Sequence, residues 1–210
     1  MKKKVFVKHL LSLQKNFLQN QKPFSIPLQS YAEHMAADTQ YLSTIRYQKD
    51  LEYWKTIFSK KPVCNVFFDK NNSANYSCRE YRTTVSAELF REMESFCKLQ
   101  KIYPSTLFYT ALAGYIQREC GYYHFNIGMP VFNRTSRAES NTIGLYMHVL
   151  PLNIHLTKES FLINANAIER EKFKLLRHSK LTQNQMIPLL YDTENHTASL
   201  FDVVLSIFQV

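Results

Sequence analysis

Seven residues past the middle of the chain, Phe125-Asn126-Ile127-Gly128-Met129-Pro130-Val131, set the strongest limit on its fold. The run is short and apolar, follows a helix-ending Gly121 and leads into the polar pair Asn133-Arg134, which is the pattern of a buried strand. Between residues 150 and 156, Leu150, Leu152, Ile154 and Leu156 alternate with Pro151, Asn153 and His155. That alternation predicts a half-buried strand, with Pro151 favouring an edge or a bulge.

Helical periodicity fills most of the remaining chain. Phe6, Leu10, Leu13 and Phe17 predict an amphipathic helix that Pro23 and Pro27 turn into an extended connector. Tyr47, Leu51, Trp54 and Phe58 predict a second helix from near Ala32 to Phe58, with room for a break midway. Asn71, Asn72, Ser73 and Asn75 mark a loop, and residues 81–85 suit a strand. Ser86 can cap a helix that presents Leu89, Met93 and Phe96. Pro104 and Ser105 start another, with Leu107, Ala111, Leu112 and Tyr115 as its apolar face and Gly121 at its end. Ser160 can cap a helix directing Phe161, Ala165, Ile168 and Leu175 to a core. Residues 201–208 read as a buried strand with only two residues beyond it, so the stop at Val210 is expected to interrupt a domain. Helices interspersed with strands make the fold class α/β (α+β).

The chain is 45% hydrophobic and 14% aromatic with only 4 glycines, which supports a packed core and excludes disordered, collagen-like and low-complexity classes. Its formal charge of +9 comes from lysines and arginines spread along the chain, with Lys2-Lys3-Lys4 the one run. A solvated basic surface is therefore expected, and no nucleic-acid partner. Cys64, Cys78, Cys97 and Cys120 form no CxxC pair and no zinc spacing with histidines, which fits reduced thiols and no metal site. Lys8 and His9 interrupt the apolar run after the basic start, and no stretch is long enough to span a membrane. A soluble, cytoplasmic protein is expected.

Catalytic signatures are sparse. His34 and Asp38 stand four apart in helical sequence, where they meet on one face and read as a surface ion pair. Glu33 precedes His34, and Thr39 rather than glycine follows Asp38. No GxSxG, glycine-rich phosphate loop or recognisable catalytic cysteine is present. His124, His148 and His155 fall in strand-forming sequence, where a histidine is more often hydrogen-bonded or solvent-facing than catalytic. No catalytic residue is assigned on these patterns.

The densest cluster is Ile127-Gly128-Met129-Pro130-Val131-Phe132-Asn133-Arg134, then a polar loop, then Ile143-Gly144-Leu145-Tyr146-Met147. Strand, Asn-Arg pair, loop and a glycine-opened second strand would set a cation and a close backbone approach beside a channel, or an arginine paired with an acid at a sheet edge. The cluster resembles the condensation domains of nonribosomal peptide synthetases, in which an IGxPVxNR segment leads through a loop to an IGxFVN-type motif. Ser30-Tyr31-Ala32-Glu33 is similar to that family's YxDF-type motif, and Lys49-Asp50-Leu51-Glu52-Tyr53-Trp54 to its KDxxYW helix. Arg177-His178 resembles the RHQ segment and residues 200–206 a late strand, so five landmarks fall in the family's order.

The resemblance implies a chloramphenicol acetyltransferase-like fold of two lobes with a tunnel, incomplete here. Residues 1–35 would be the tail of the N-terminal lobe and connector, and 36–210 a partial C-terminal lobe. It implies kinship with amide-bond formation between acyl and aminoacyl groups on carrier proteins. The family's HHxxxDG loop is absent, since no His-His pair occurs, and the chain is expected to begin just after it. Tyr31, Asn133, Arg134, Gly144 and His148 would be tunnel or substrate-side residues. Arg134, lacking the loop's aspartate, is expected to be more exposed or paired with another acid. The expected protein is inactive alone and needs no cofactor of its own, phosphopantetheine residing on partner carrier proteins. Its other partners would be a separate N-terminal half or a sister synthetase. The alternatives are a noncatalytic carrier-docking module, whose basic surface suits acidic carriers, or a decayed gene fragment.

Overall fold

The computed structural model of the protein describes residues 31–67, 78–134, 136, 139–140, 142, 144–190 and 199–208. The helix predicted on Phe6, Leu10, Leu13 and Phe17, the connector at Pro23 and Pro27, and the loop at Asn71, Asn72, Ser73 and Asn75 lie outside them. The described chain forms two compact units, 31–49 with 132–147, and 50–131 with 148–208.

The long helix expected between Ala32 and Phe58 is two helices, α1 (Tyr31–Tyr41) and α2 (Ile45–Ser59). At the break, the N–H groups of Ser43 and Thr44 donate to the carbonyls of Gln40 and Tyr41, three residues back, at 3.1 and 3.0 Å. Such tight bonds satisfy the last carbonyls of a helix as it ends. The Thr44 hydroxyl then accepts the Tyr47 N–H at 3.2 Å, the geometry of a cap that starts the next helix. Helix α2 runs in the first unit to Lys49 and in the second from Asp50.

The second unit is organised on β1 (His124–Val131) and β2 (His148–His155), an antiparallel pair that sets His124 opposite His155 and Val131 opposite His148. Before them come α3 (Ala87–Gln100), capped by the Ser86 hydroxyl on Leu89 N–H at 3.1 Å, and α4 (Pro104–Cys120). The latter ends on Gly121 at φ 77, a left-handed conformation that favours glycine. After them come α5 (Phe161–Arg177), capped by Ser160, and α6 (Gln183–Leu190). Helix α5 packs on both β2 and α4.

On its other side β1 bonds to two further segments. Val63 donates to His124 O and accepts from Asn126 N–H, while Gly128 donates to Val203 O at 2.7 Å and accepts from Leu205 N–H at 3.1 Å. Because both backbone groups of Gly128 turn toward 203–205, its partner on β2, Pro151, sits at a non-hydrogen-bonded pair. The missing proline N–H therefore leaves no gap in the ladder.

Other expectations change as well, and on α5 Ala165, Ile168 and Leu175 are buried while Phe161 is exposed. Strand β2 is not half-buried: Pro151 and Asn153 are buried along with Leu150, Leu152 and Ile154, and of the predicted polar set only His155 is exposed. Asn153 tolerates this because its side-chain N–H donates to Asn126 Oδ1 at 3.1 Å. The buried face of α4 is Thr106, Tyr109, Thr110, Ala113 and Ile116, turned from the predicted one, and Tyr115 is exposed. The threonines and the tyrosine satisfy themselves, Thr110 on Thr106 O and Tyr109 on Leu205 O, both at 2.8 Å. Residues 81–85 form no strand, with Tyr81 86% exposed, because β-prone side chains without a partner strand make no ladder. Residues 201–208 hold a single bridge at Val204 rather than a buried strand, and the buried residue there is Leu200.

Candidate functional site

The candidate site lies in the first unit. In α1, Tyr31, His34 and Asp38 stand three and four residues apart and so share one face of the helix. The Tyr31 hydroxyl donates to Leu145 O at 2.8 Å, which brings its ring against Gly144. A Cβ on Gly144 would run into the Tyr31 ring, so this position requires glycine for close approach.

Tyr146 is the centre of the cluster and is almost fully buried. Its ring centroid is 4.1 Å from the His34 ring, 4.1 Å from the Arg134 guanidinium carbon and 5.7 Å, edge-on, from the Tyr31 ring. His34 Nε2 stands 3.3 Å from Asp38 Oδ2, the ion pair expected, but His34 is mostly covered while Asp38 is open. An imidazole held by a carboxylate on one side and a phenol ring on another has a fixed orientation.

Arg134 departs from expectation. It is part-buried, and among the described residues no acid pairs with it: it donates to the backbone carbonyls of Thr142 at 2.8 Å, Gly144 at 2.9 Å and Glu139. With the Tyr146 π face, these dipoles stand where a carboxylate was expected. The guanidinium thereby ties the segment from Glu139 to Tyr146 back to the Asn133-Arg134 pair, and Asn133, at φ 44, turns the chain there. Asparagine adopts that left-handed conformation more readily than most residues.

Of the predicted residues, Tyr31, Arg134 and Gly144 come together, and Asn133 adjoins them in the chain. His148 belongs to the other unit, as the first residue of β2. Tyr146 was missed, although an aromatic directly after Gly144-Leu145 is a signal that an arginine and a histidine could share a ring. Among the described residues no group of three or more His, Cys, Asp or Glu is arranged to hold a metal ion.

A second constellation joins two sequence landmarks within the other unit. Asp50, 1% exposed, accepts from His178 Nδ1 at 2.7 Å, and Tyr53 stacks on the His178 ring at 4.2 Å and 12°. The Trp54 indole N–H donates to His178 O at 3.0 Å. Burial, with Glu171 nearby, pushes the Tyr53 phenol well above its ordinary 10.0, so it stays protonated. This clasp fastens α2 to the C-terminus of α5 and has the character of a structural lock, the Asp50 carboxylate and the Trp54 indole N–H both being spent on His178.

Residues 3–210 match the family described as Condensation domain. The chain is similar to surfactin synthase subunit 1 of Bacillus subtilis (strain 168), 27% identical over 179 residues that cover 84% of this chain and 5% of that protein. It is also similar to bacitracin synthase 1 of Bacillus licheniformis, 25% identical over 131 residues that cover 60% of this chain and 2% of that protein. Among solved structures, the first condensation domain of the calcium-dependent antibiotic synthetase, in complex with substrate analogue 3a, superposes with TM-score 0.75 at 16% identity, over 98% of this chain and 46% of that one. VibH, an NRPS condensation enzyme, superposes with TM-score 0.68 at 17% identity, over 95% and 47%. The fold is thus part of the chloramphenicol acetyltransferase-like fold of such domains, and the chain spans under half the length of these structures.

Proposed function

The chain belongs to the condensation-domain family, and from that premise we propose that it is a partial condensation domain, related to amide-bond formation between carrier-bound acyl and aminoacyl groups and inactive alone. The observation that carries this reading is the family match over 3–210 in a sequence without any His-His pair. Family landmarks are present in order, and the base-bearing HHxxxDG segment is not among them. In the whole domain, residues 1–35 close the N-terminal lobe and 36–210 form much of the C-terminal one. Tyr31, Asn133, Arg134, Gly144 and His148 are then tunnel or substrate-side residues. The Arg134 bonds to three carbonyls support a positioning role, since an arginine so engaged holds the segment leading to Tyr146 in one shape.

The partners on this reading are acyl or peptidyl carrier proteins, with phosphopantetheine on the carriers and no cofactor on this chain. A separate N-terminal half or a sister synthetase would complete it, in the cytoplasm. No helix of the described residues is long and apolar enough to cross a membrane.

The test is a two-carrier assay. With an acyl-loaded donor carrier and an aminoacyl-loaded acceptor carrier, the chain alone should yield no amide, and co-expression with an HHxxxDG-bearing front half should restore it. Amide formed by the chain alone, and abolished by His148→Ala, would overturn the inactive reading.

The formal charge of +9 favours a second reading, a noncatalytic carrier-docking module. Carrier binding that weakens with salt and survives loss of Arg134, with no activity on complementation, would select it.

A further inference from the structure

We propose that Lys172 is a reactive amine that accepts acyl groups from small activated acyl compounds, thioesters in particular. The residue lies on α5 facing the first turn of α4, with Nζ 2.6 Å from Ser105 Oγ and 2.9 Å from Thr106 Oγ1, and 5.6 Å from the Tyr109 ring centroid. The acid beside it, Glu169, is already engaged: its Oε1 accepts from Tyr103 N–H and from the Thr106 hydroxyl, both at 3.0 Å. Among the described residues no carboxylate comes within ion-pair distance of Lys172.

An ammonium withdrawn from water and given only hydroxyl oxygens and a ring face is under-compensated, so the free amine gains at its expense. Burial lowers the Lys172 pKa from 10.5 to about 8, with Glu169 opposing. The side chain remains partly open to solvent, so a small acyl donor can reach it.

The step balances without any other reactant. The neutral amine adds to the thioester carbonyl and a C–N bond forms. The C–S bond breaks, sulfur leaves with the electron pair, and the proton lost by nitrogen passes to solvent or to the departing thiolate. The product is an amide on Lys172 and a free thiol. No synthetase activity is required.

At pH 7.5 an amine of pKa about 8 is roughly one-quarter neutral, and one at 10.5 roughly 0.1%, so the free-amine advantage is about 200-fold. Lower basicity lowers nucleophilicity by about tenfold if the slope is like that of thiols, and shielding by α4 takes a further share. An overall advantage of about tenfold is expected.

The experiment treats the full chain with S-acetyl-N-acetylcysteamine at pH 7.5 and follows each lysine by peptide mass spectrometry. Lys172 should acetylate about tenfold faster than the exposed Lys98 and Lys101, with a rate that levels off above pH 8. Lys172→Arg should lose that mark alone and keep the far-ultraviolet circular dichroism of the wild type. Glu169→Gln removes the charge that favours the ammonium and should speed labelling at pH 7. Lys172 labelling no faster than Lys98 and Lys101, or a rate that climbs without a break to pH 10, would overturn the proposal.

Discussion

Gly128→Ala tests whether the packing around β1 is as tight as described. A Cβ there would meet Phe201 Cδ2 and Cε2 at 2.7 Å and Val204 Cγ2 at 2.8 Å, whereas packed carbons sit about 3.5–4.0 Å apart. Relief requires a displacement of nearly 1 Å. Phe201 and Val204 belong to the segment whose backbone is bonded to Gly128 itself, at 2.7 Å to Val203 O and 3.1 Å from Leu205 N. Moving it stretches two bonds past the normal range. Overpacking in a well-packed core costs about 1–3 kcal/mol, and each weakened bond up to about 0.5–1.5 kcal/mol. Against these, alanine restricts the unfolded chain and returns about 0.5–1 kcal/mol. The net expectation is a loss of about 2–3 kcal/mol. With a urea slope of about 1–3 kcal/mol/M, the midpoint should fall by about 1–2 M. The assay is urea unfolding followed by the fluorescence of Trp54, the single tryptophan, which is fully buried in the same unit. Gly114→Ala is the control, since nothing lies within 4 Å of its Cβ position on the exposed side of α4. There the same substitution should stabilise by up to about 1 kcal/mol. A Gly128→Ala midpoint equal to or above that of the wild type would refute the packing argument.

Asp50→Ala removes the carboxylate to which His178 Nδ1 donates; losing a hydrogen bond to a charged group should cost about 1.5–3 kcal/mol, read by thermal unfolding. Arg134→Lys cannot reach three carbonyls from one ammonium, so amide hydrogen exchange at Gly144 and Tyr146 should accelerate about tenfold or more, and unchanged protection would show that the guanidinium does not hold the segment. His124 has its pKa lowered, chiefly by burial, with His155 and Lys60 adding and the Asn153 hydrogen bond opposing. The unfolded chain then binds more protons below about pH 6.5, so this contribution to stability is complete above that value and is lost on acidification. Wild type should therefore lose more stability than His124→Gln between pH 7.5 and 5.5, and parallel curves would remove His124 as the cause.

Local signals were readable where the backbone itself dictated them. Ser86 and Ser160 cap the helices they were expected to cap, Gly121 ends α4 in the left-handed region, and both strands lie where apolar runs put them. Thr44 could have located the break between α1 and α2, since its hydroxyl caps the second helix. The buried face of α4 could not be read from hydrophobicity, because Thr106 and Thr110 are inside and Tyr115 is out. Their burial depends on bonds to Glu169 and to the helix itself, which a hydropathy pattern does not see. The same limit hid the partner of Arg134: a carboxylate can be sought in a sequence, whereas three backbone carbonyls and a ring face exist only once a loop has closed.

The sequence by itself determined the kinship, because the landmarks from Ser30-Tyr31 to Arg177-His178 stand in the family's order whatever the chain does in space. It also determined the helix ends at Ser86, Gly121 and Ser160, since caps and left-handed residues act within a few positions of themselves. Tertiary structure alone decided that Asp50, Tyr53 and Trp54 clasp His178 across more than a hundred residues, and that Gly144 must be glycine because Tyr31 lies on it. It alone left Lys172 part-buried against two hydroxyls, with no carboxylate within ion-pair distance among the described residues, because burial and the placing of counter-ions belong to a packed arrangement and not to a residue type.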